Sequence, residues 1–150
     1  MRYLICLLLL AGSIAWTGCA PATLEGTIAA SGTVTYNGQA VEGANVVFSP
    51  EGEGRAATGL TDASGRFQLQ TLTPEDGVMP GKYRVAISKT QVEGAMSEEE
   101  SQAYTAEHGK SPEVTVKELL PEKYKSPASS GLTAEVTAGG KNEFTFDLKD

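Results

Sequence analysis

A chain of 150 residues, 40% hydrophobic and 21% charged, has the size of one domain. Twelve Lys and Arg face 19 Asp and Glu, giving a formal net charge of −7, and the lack of a basic surplus argues against a nucleic-acid partner. With 2 Cys and 1 His, most metal sites and every disulfide-rich scaffold are excluded.

The first segment reads as a leader and not as part of the fold. Met1-Arg2 carries one positive charge, and Tyr3 to Ala11 is almost purely apolar, with leucine at each position from Leu7 to Leu10. That run is shorter than the ~20 residues a membrane-spanning helix needs, and small residues follow it, as in a secretory signal peptide. It ends in Trp16-Thr17-Gly18-Cys19. This ending resembles the lipobox of bacterial lipoproteins, although Trp16 stands where an aliphatic residue is usual. The resemblance implies that residues 1–18 are a signal peptide, that the Cys19 sulfur receives a diacylglyceryl group, and that fatty acyl chains such as palmitate anchor the chain. Cleavage there removes 18 of the 150 residues and leaves 132; losing Arg2 takes the side-chain charge from −7 to −8. Cys6 leaves with the leader and lipid occupies Cys19, so the mature chain has no free thiol and no zinc-binding sulfur. The chain is then expected to be exported and held in the bacterial cell envelope, at the outer membrane or the periplasmic face.

Residues 19–31 are polar or small and suit a linker between lipid and domain. Beyond them, residues alternate with period 2. Val34 and Tyr36; Ala44, Val46 and Phe48; Phe67, Leu69 and Thr71; Tyr83, Val85 and Ile87; Leu132, Ala134 and Val136; and Phe144, Phe146 and Leu148 each alternate with mostly polar neighbours. One apolar face and one polar face predict half-buried antiparallel strands. Asn37-Gly38 suits a tight hairpin turn because both residues tolerate positive φ. Asp62-Ala63-Ser64-Gly65 and Gly139-Gly140 separate further strands. About seven short strands at this spacing predict an all-β antiparallel sandwich over residues 32–150.

Residues 90–117 break the rhythm with an acidic cluster of Glu93, Glu98, Glu99, Glu100 and Glu107. The segment reads as an irregular insertion. Ser97 followed by Glu100 forms a capping box and predicts a short exposed helix from Ser97 to about Glu107. Further on, Pro121 is placed to start a single helical turn that sets Tyr124 against the edge of the sandwich.

Three stretches carry a family resemblance: Gly32-Thr33-Val34-Thr35-Tyr36-Asn37-Gly38-Gln39-Ala40-Val41-Glu42-Gly43-Ala44, then Thr61-Asp62-Ala63-Ser64-Gly65-Arg66-Phe67, then Pro80-Gly81-Lys82-Tyr83-Arg84-Val85. Together they resemble carboxypeptidase regulatory-like domains, which are transthyretin-like (prealbumin-like) β-sandwiches. The tail, with Pro121-Glu122-Lys123-Tyr124, Ser130-Gly131-Leu132-Thr133 and Asn142-Glu143-Phe144-Thr145-Phe146-Asp147-Leu148, is similar to small lipoproteins abundant in planctomycete bacteria. The resemblance implies an accessory, non-catalytic module.

The chemistry-bearing residues agree with that expectation. There is no G-x-S-x-G elbow, and His108 lies in the acidic insertion, so a hydrolase is the least favoured reading. Gly109-Lys110-Ser111 lacks the first glycine of a phosphate loop, where Tyr104 stands instead. Calcium needs only oxygen ligands, for which Asp62, Ser64, Glu75 and Asp76 are weak candidates. A strand-to-strand Asx turn explains Asp62 and Ser64 better. A glycan would stack on exposed aromatics, for which Tyr36, Tyr104 and Tyr124 are the candidates. The leading expectation is a membrane-anchored, non-catalytic binding or structural module without cofactor, its partner an envelope protein or a glycan.

Overall fold

The computed structural model describes residues 24–150; the leader, the lipobox and Cys19 lie outside the described residues. Alternation of apolar and polar side chains builds ten strands: β1 (Ser31–Tyr36), β2 (Gln39–Ala40), β3 (Asn45–Pro50), β4 (Ala57–Leu60), β5 (Arg66–Gln68), β6 (Gly81–Ser88), β7 (Thr90–Glu93), β8 (Thr115–Glu118), β9 (Leu132–Val136) and β10 (Glu143–Leu148). One helix, α1 (Glu98–His108), lies between β7 and β8, and a 3₁₀ turn spans Glu122–Lys125. The class is all-β, with ten strands where about seven are expected.

One sheet has the order β10-β1-β2, with β5 pairing the first half of β1 beside β2. The other has the order β4-β3-β6-β9 and is antiparallel throughout. The expectation of purely antiparallel pairing is corrected at one place: β1 and β10 run parallel, from Ser31 opposite Glu143 to Tyr36 opposite Leu148. Period-2 alternation reports which face is buried, not which way the neighbour runs, and a parallel pair needs only a long crossover. Here nearly the whole domain serves as that crossover.

Inward side chains from both sheets form a single core. Val34, Phe67, Phe146 and Leu148 of the first sheet meet Val46, Phe48, Tyr83, Val85, Ile87, Ala134 and Val136 of the second. Phe48 is the hub, its ring centroid 5.4 Å from that of Phe144, 5.8 Å from Tyr83, 6.1 Å from Phe146 and 6.3 Å from Phe67. The sheets are also stitched along one side, where the Thr58 and Gln70 backbones exchange two hydrogen bonds of 2.8 Å.

The expected turns form as the residues dictate. Asn37 and Gly38 take φ of 51° and 81° in the β1–β2 hairpin, the primed-turn geometry that matches strand twist. Tyr124 is buried by the 3₁₀ turn, and its hydroxyl donates to the Lys149 carbonyl at 3.0 Å while accepting the Lys149 N–H at 3.1 Å. That pair of bonds pins the end of β10.

Two boundaries differ from expectation. The linker drawn to residue 31 is shorter, because Ile28 exchanges backbone hydrogen bonds with Val78 and Ala30 enters the core. Residues 90–117 are not irregular: β7 and β8 pair antiparallel from Thr90 opposite Glu118 to Glu93 opposite Thr115, on either side of the expected helix. Nearly every residue of these two strands is exposed. No core face selects apolar side chains at every second position, so the strands leave little periodic trace.

Candidate functional site

Of the weak calcium candidates, Asp62, Ser64 and Asp76 are engaged by their own turns. In the 62–65 turn, Asp62 Oδ1 accepts the Ser64 N–H at 2.8 Å, the Ser64 hydroxyl at 2.7 Å and the Arg66 N–H at 3.0 Å. Asp76 closes a second turn by accepting the backbone N–H groups of Thr71 at 2.6 Å, Leu72 at 2.8 Å and Thr73 at 3.0 Å. Glu75 sits beside it in the left-handed region at φ 66°. Among the described residues, no three His, Cys, Asp or Glu side chains gather in one place. Asp62, Ser64 and Asp76 are therefore anchors of backbone geometry.

Hydrogen bonds to the ionised form hold both carboxyls below the ordinary carboxylate value of 3.8, chiefly the Ser64 hydroxyl at Asp62 and the Thr71 N–H at Asp76. A depressed folded-state value places the stabilisation above the unfolded value and removes it as pH falls through the folded one. The melting temperature is accordingly expected to hold steady above about pH 5 and to fall on acidification toward about pH 2. Melts of the wild type and of Asp76→Asn across this range check it. The variant should melt lower at neutral pH and lose less on acidification; parallel curves would contradict the assignment.

The three glycan candidates sit on different elements. Tyr124 packs at the 3₁₀ turn, and Tyr36 lies at the end of β1 with its hydroxyl donating to the Asp150 carboxylate. Tyr104 is on α1, its ring stacked on His108 at 4.1 Å between centroids. They do not form one platform. His108 is on this same exposed helix, with Nδ1 3.0 Å from the Tyr104 carbonyl oxygen. An open cleft of about 530 Å³ is lined by Ser31, Gln68, Glu75, Lys141, Asn142 and Glu143 among others, and His108 is not among its walls.

The feature that remains is the arm from Thr90 to Glu118. It grows out of the central strand β6, with only Lys89 between Ser88 and β7. Its root is fixed by the Leu119 N–H donating to the Lys89 carbonyl at 2.8 Å and by an ion pair between Lys125 and Glu118. Val92 pairs directly with Val116, so their two side chains share a face, and Val114 lies one residue before β8. All three are exposed, at 51%, 60% and 53%, and Met96 at the end of the ribbon is 45% exposed. The opposite face carries Gln91, Glu93, Thr115 and Lys117. The acids of this segment stand out along the chain and the valines do not; Val114-Thr115-Val116 is the available signal, too short to register as alternation.

Helix α1 buries none of its residues. It stands on local bonds: the Ser97 hydroxyl accepts the Glu100 N–H at 3.3 Å, the Glu100 carboxylate accepts the Ser97 N–H at 2.9 Å, and Gly109 closes the far end at φ 70°. The Ser97 N–H also holds the Glu100 carboxyl below its ordinary range. An 11-residue helix that buries none of its residues is marginal in water. Ser97→Ala, which costs about 1 kcal/mol of cap energy, should therefore largely melt α1 alone. Hydrogen exchange should lose protection over residues 101–109 and keep it in β6; unchanged protection in α1 would refute the dependence on the cap.

No family model matches the chain, and no curated protein matches it. Among solved structures it is similar to a 9R-lipoxygenase from Cyanothece, at 12% identity and a TM-score of 0.37, over 89% of this chain and 18% of that one. The chain thus spans less than a fifth of that enzyme's length, and a likeness at this level transfers neither fold nor activity.

Proposed function

We propose that the chain is a lipid-anchored, non-catalytic module of the bacterial cell envelope, related to the carboxypeptidase regulatory-like, prealbumin-like sandwiches, that holds a protein partner through the Thr90–Glu118 arm. The arm is the observation that carries the binding role. It is a ribbon that continues from an inner strand of the second sheet, it exposes apolar side chains, and its helix contributes nothing to the core. The lipobox-like Thr17-Gly18-Cys19 supports the anchor. Each buried CH₂ of an acyl chain contributes about 0.8 kcal/mol, so one chain holds marginally and two hold stably.

Mass spectrometry of the mature N-terminus tests the anchor, with Cys19 expected as the first residue and carrying diacylglyceryl; an unmodified Cys19 or cleavage elsewhere would refute it. Excision of the arm tests the binding role. Lys89 and Leu119 are already bonded, so a short Gly-containing turn can join them. The excised protein should keep its melting temperature within a few degrees, because none of the residues removed is buried. Crosslinking in intact envelopes should give adducts with the wild type that the excised protein lacks. Global unfolding on excision would make the arm a structural element and remove the proposal.

A further inference from the structure

We infer that the valine face of the ribbon docks an extended, lysine- or arginine-bearing segment of another envelope protein, with the acidic start of α1 receiving its positive charges. The inference rests on the binding role proposed above and gives the partner its chemistry.

Val92 and Val116 lie on one face of a ribbon that no described residue covers, and Val114 just before β8 and Met96 beyond β7 are exposed as well. A bare two-stranded ribbon is marginal in water, and threonine, present at Thr90 and Thr115, supports strand geometry without exposing so much apolar surface. Valine at these positions gains only when something covers it. Both long edges of the ribbon also keep unpaired backbone groups, which an incoming strand can use.

Charge selects the occupant. Residues 90–118 hold seven glutamates against two lysines, so −5 of the chain's −7 sits on the arm. Glu98, Glu99 and Glu100 follow Met96 within four residues along the chain, at the start of the helix that β7 and β8 flank. A second copy would set −5 against −5. Four half-exposed side chains per copy also fall well short of the ~1,200–2,000 Å² a stable dimer buries. Anionic lipid headgroups are repelled in the same way. A cationic segment with apolar side chains on alternate positions meets both features at once.

The test uses the full processed protein in detergent and three labelled ten-residue peptides: alternating Val-Lys, alternating Val-Glu and alternating Ser-Lys. Fluorescence anisotropy should show Val-Lys binding about tenfold tighter than either control, a difference of ~1.4 kcal/mol. Val92→Thr with Val116→Thr should abolish that preference while leaving the melting temperature and the amide protection of β7 and β8 in place. Equal binding of Val-Lys and Ser-Lys, no binding of Val-Lys, or a preference that survives the double substitution would overturn the inference. So would a dimer, seen by sedimentation, that the double substitution dissociates, because it assigns the face to a second copy. A chain that is unlipidated yet discriminates the peptides keeps the docking and loses the anchor; a lipidated chain that does not discriminate keeps the anchor and loses the docking.

Discussion

Phe48→Ala is expected to remove about 3–5 kcal/mol of folding free energy, the range for deleting a buried aromatic side chain. That is about a third of the ~5–15 kcal/mol a domain of this size holds. Phe48 is fully buried on β3 and touches rings from β5, β6 and β10, so its loss opens a cavity shared by both sheets. Collapse around the gap is restricted, because the Phe67, Phe144, Phe146 and Tyr83 rings are each fixed to a hydrogen-bonded strand. Tyr83 is further held by its hydroxyl donating to the Met79 carbonyl at 2.8 Å. Chemical denaturation followed by tryptophan-independent circular dichroism checks the value. Phe144→Ala, at a partly buried position on the rim of the same cluster, should cost clearly less. Equal losses at the two positions would show that Phe48 is not the hub.

Gly65→Ala is the second large effect, expected at about 2–4 kcal/mol. Two causes add. Gly65 sits at φ 76°, which costs an L-residue ~1–2 kcal/mol. A Cβ there would also lie 2.5 Å from the Val34 carbonyl oxygen and 3.2 Å from the Val41 N, both backbone atoms that cannot swing aside. The shift would loosen the Val34 N–H bond to the Gly65 carbonyl, now 2.8 Å, which ties the 62–65 turn to β1. Gly38→Ala separates the causes. Gly38 has φ 81° but nothing within 4 Å of its Cβ position, so only the ~1–2 kcal/mol of backbone strain applies. Denaturation of both variants should rank Gly65→Ala as the more destabilising; equal losses would show that strain alone matters at Gly65.

The half-buried strands were legible because burial on one face imposes alternation. Val46 and Phe48 point inward and Asn45 outward, as the sequence pattern requires, and the same holds for Tyr83, Val85 and Ile87. Local chemistry was equally legible. Ser97 and Glu100 form the capping box, Asp62 folds its own turn, and Asn37-Gly38 makes the hairpin. Asn142 was not foreseen: its side chain accepts the Thr137 N–H at 3.0 Å and donates to the Thr137 carbonyl at 3.2 Å, bracing the Gly139-Gly140 turn from within the fold. Ser130 likewise bonds the Val85 carbonyl across 45 residues, a pairing no local pattern encodes.

For the candidate site the division is the same. Acidic charge in residues 90–117 can be counted along the chain, since charge needs no neighbours to be recognised. The valine face could not be read there, because Val92 and Val116 are 24 positions apart and become one surface only when β7 pairs with β8. What the sequence by itself determined is the all-β class, the inward residues, the tight turns, the capped helix and the acidity of the insertion. Each follows from interactions within a few residues or from one-sided burial. Tertiary structure alone decided the parallel β1–β10 pair, the ribbon on either side of α1 and the apolar patch it displays. These depend on which distant strands meet, and backbone hydrogen bonds between strands are made by atoms common to every residue.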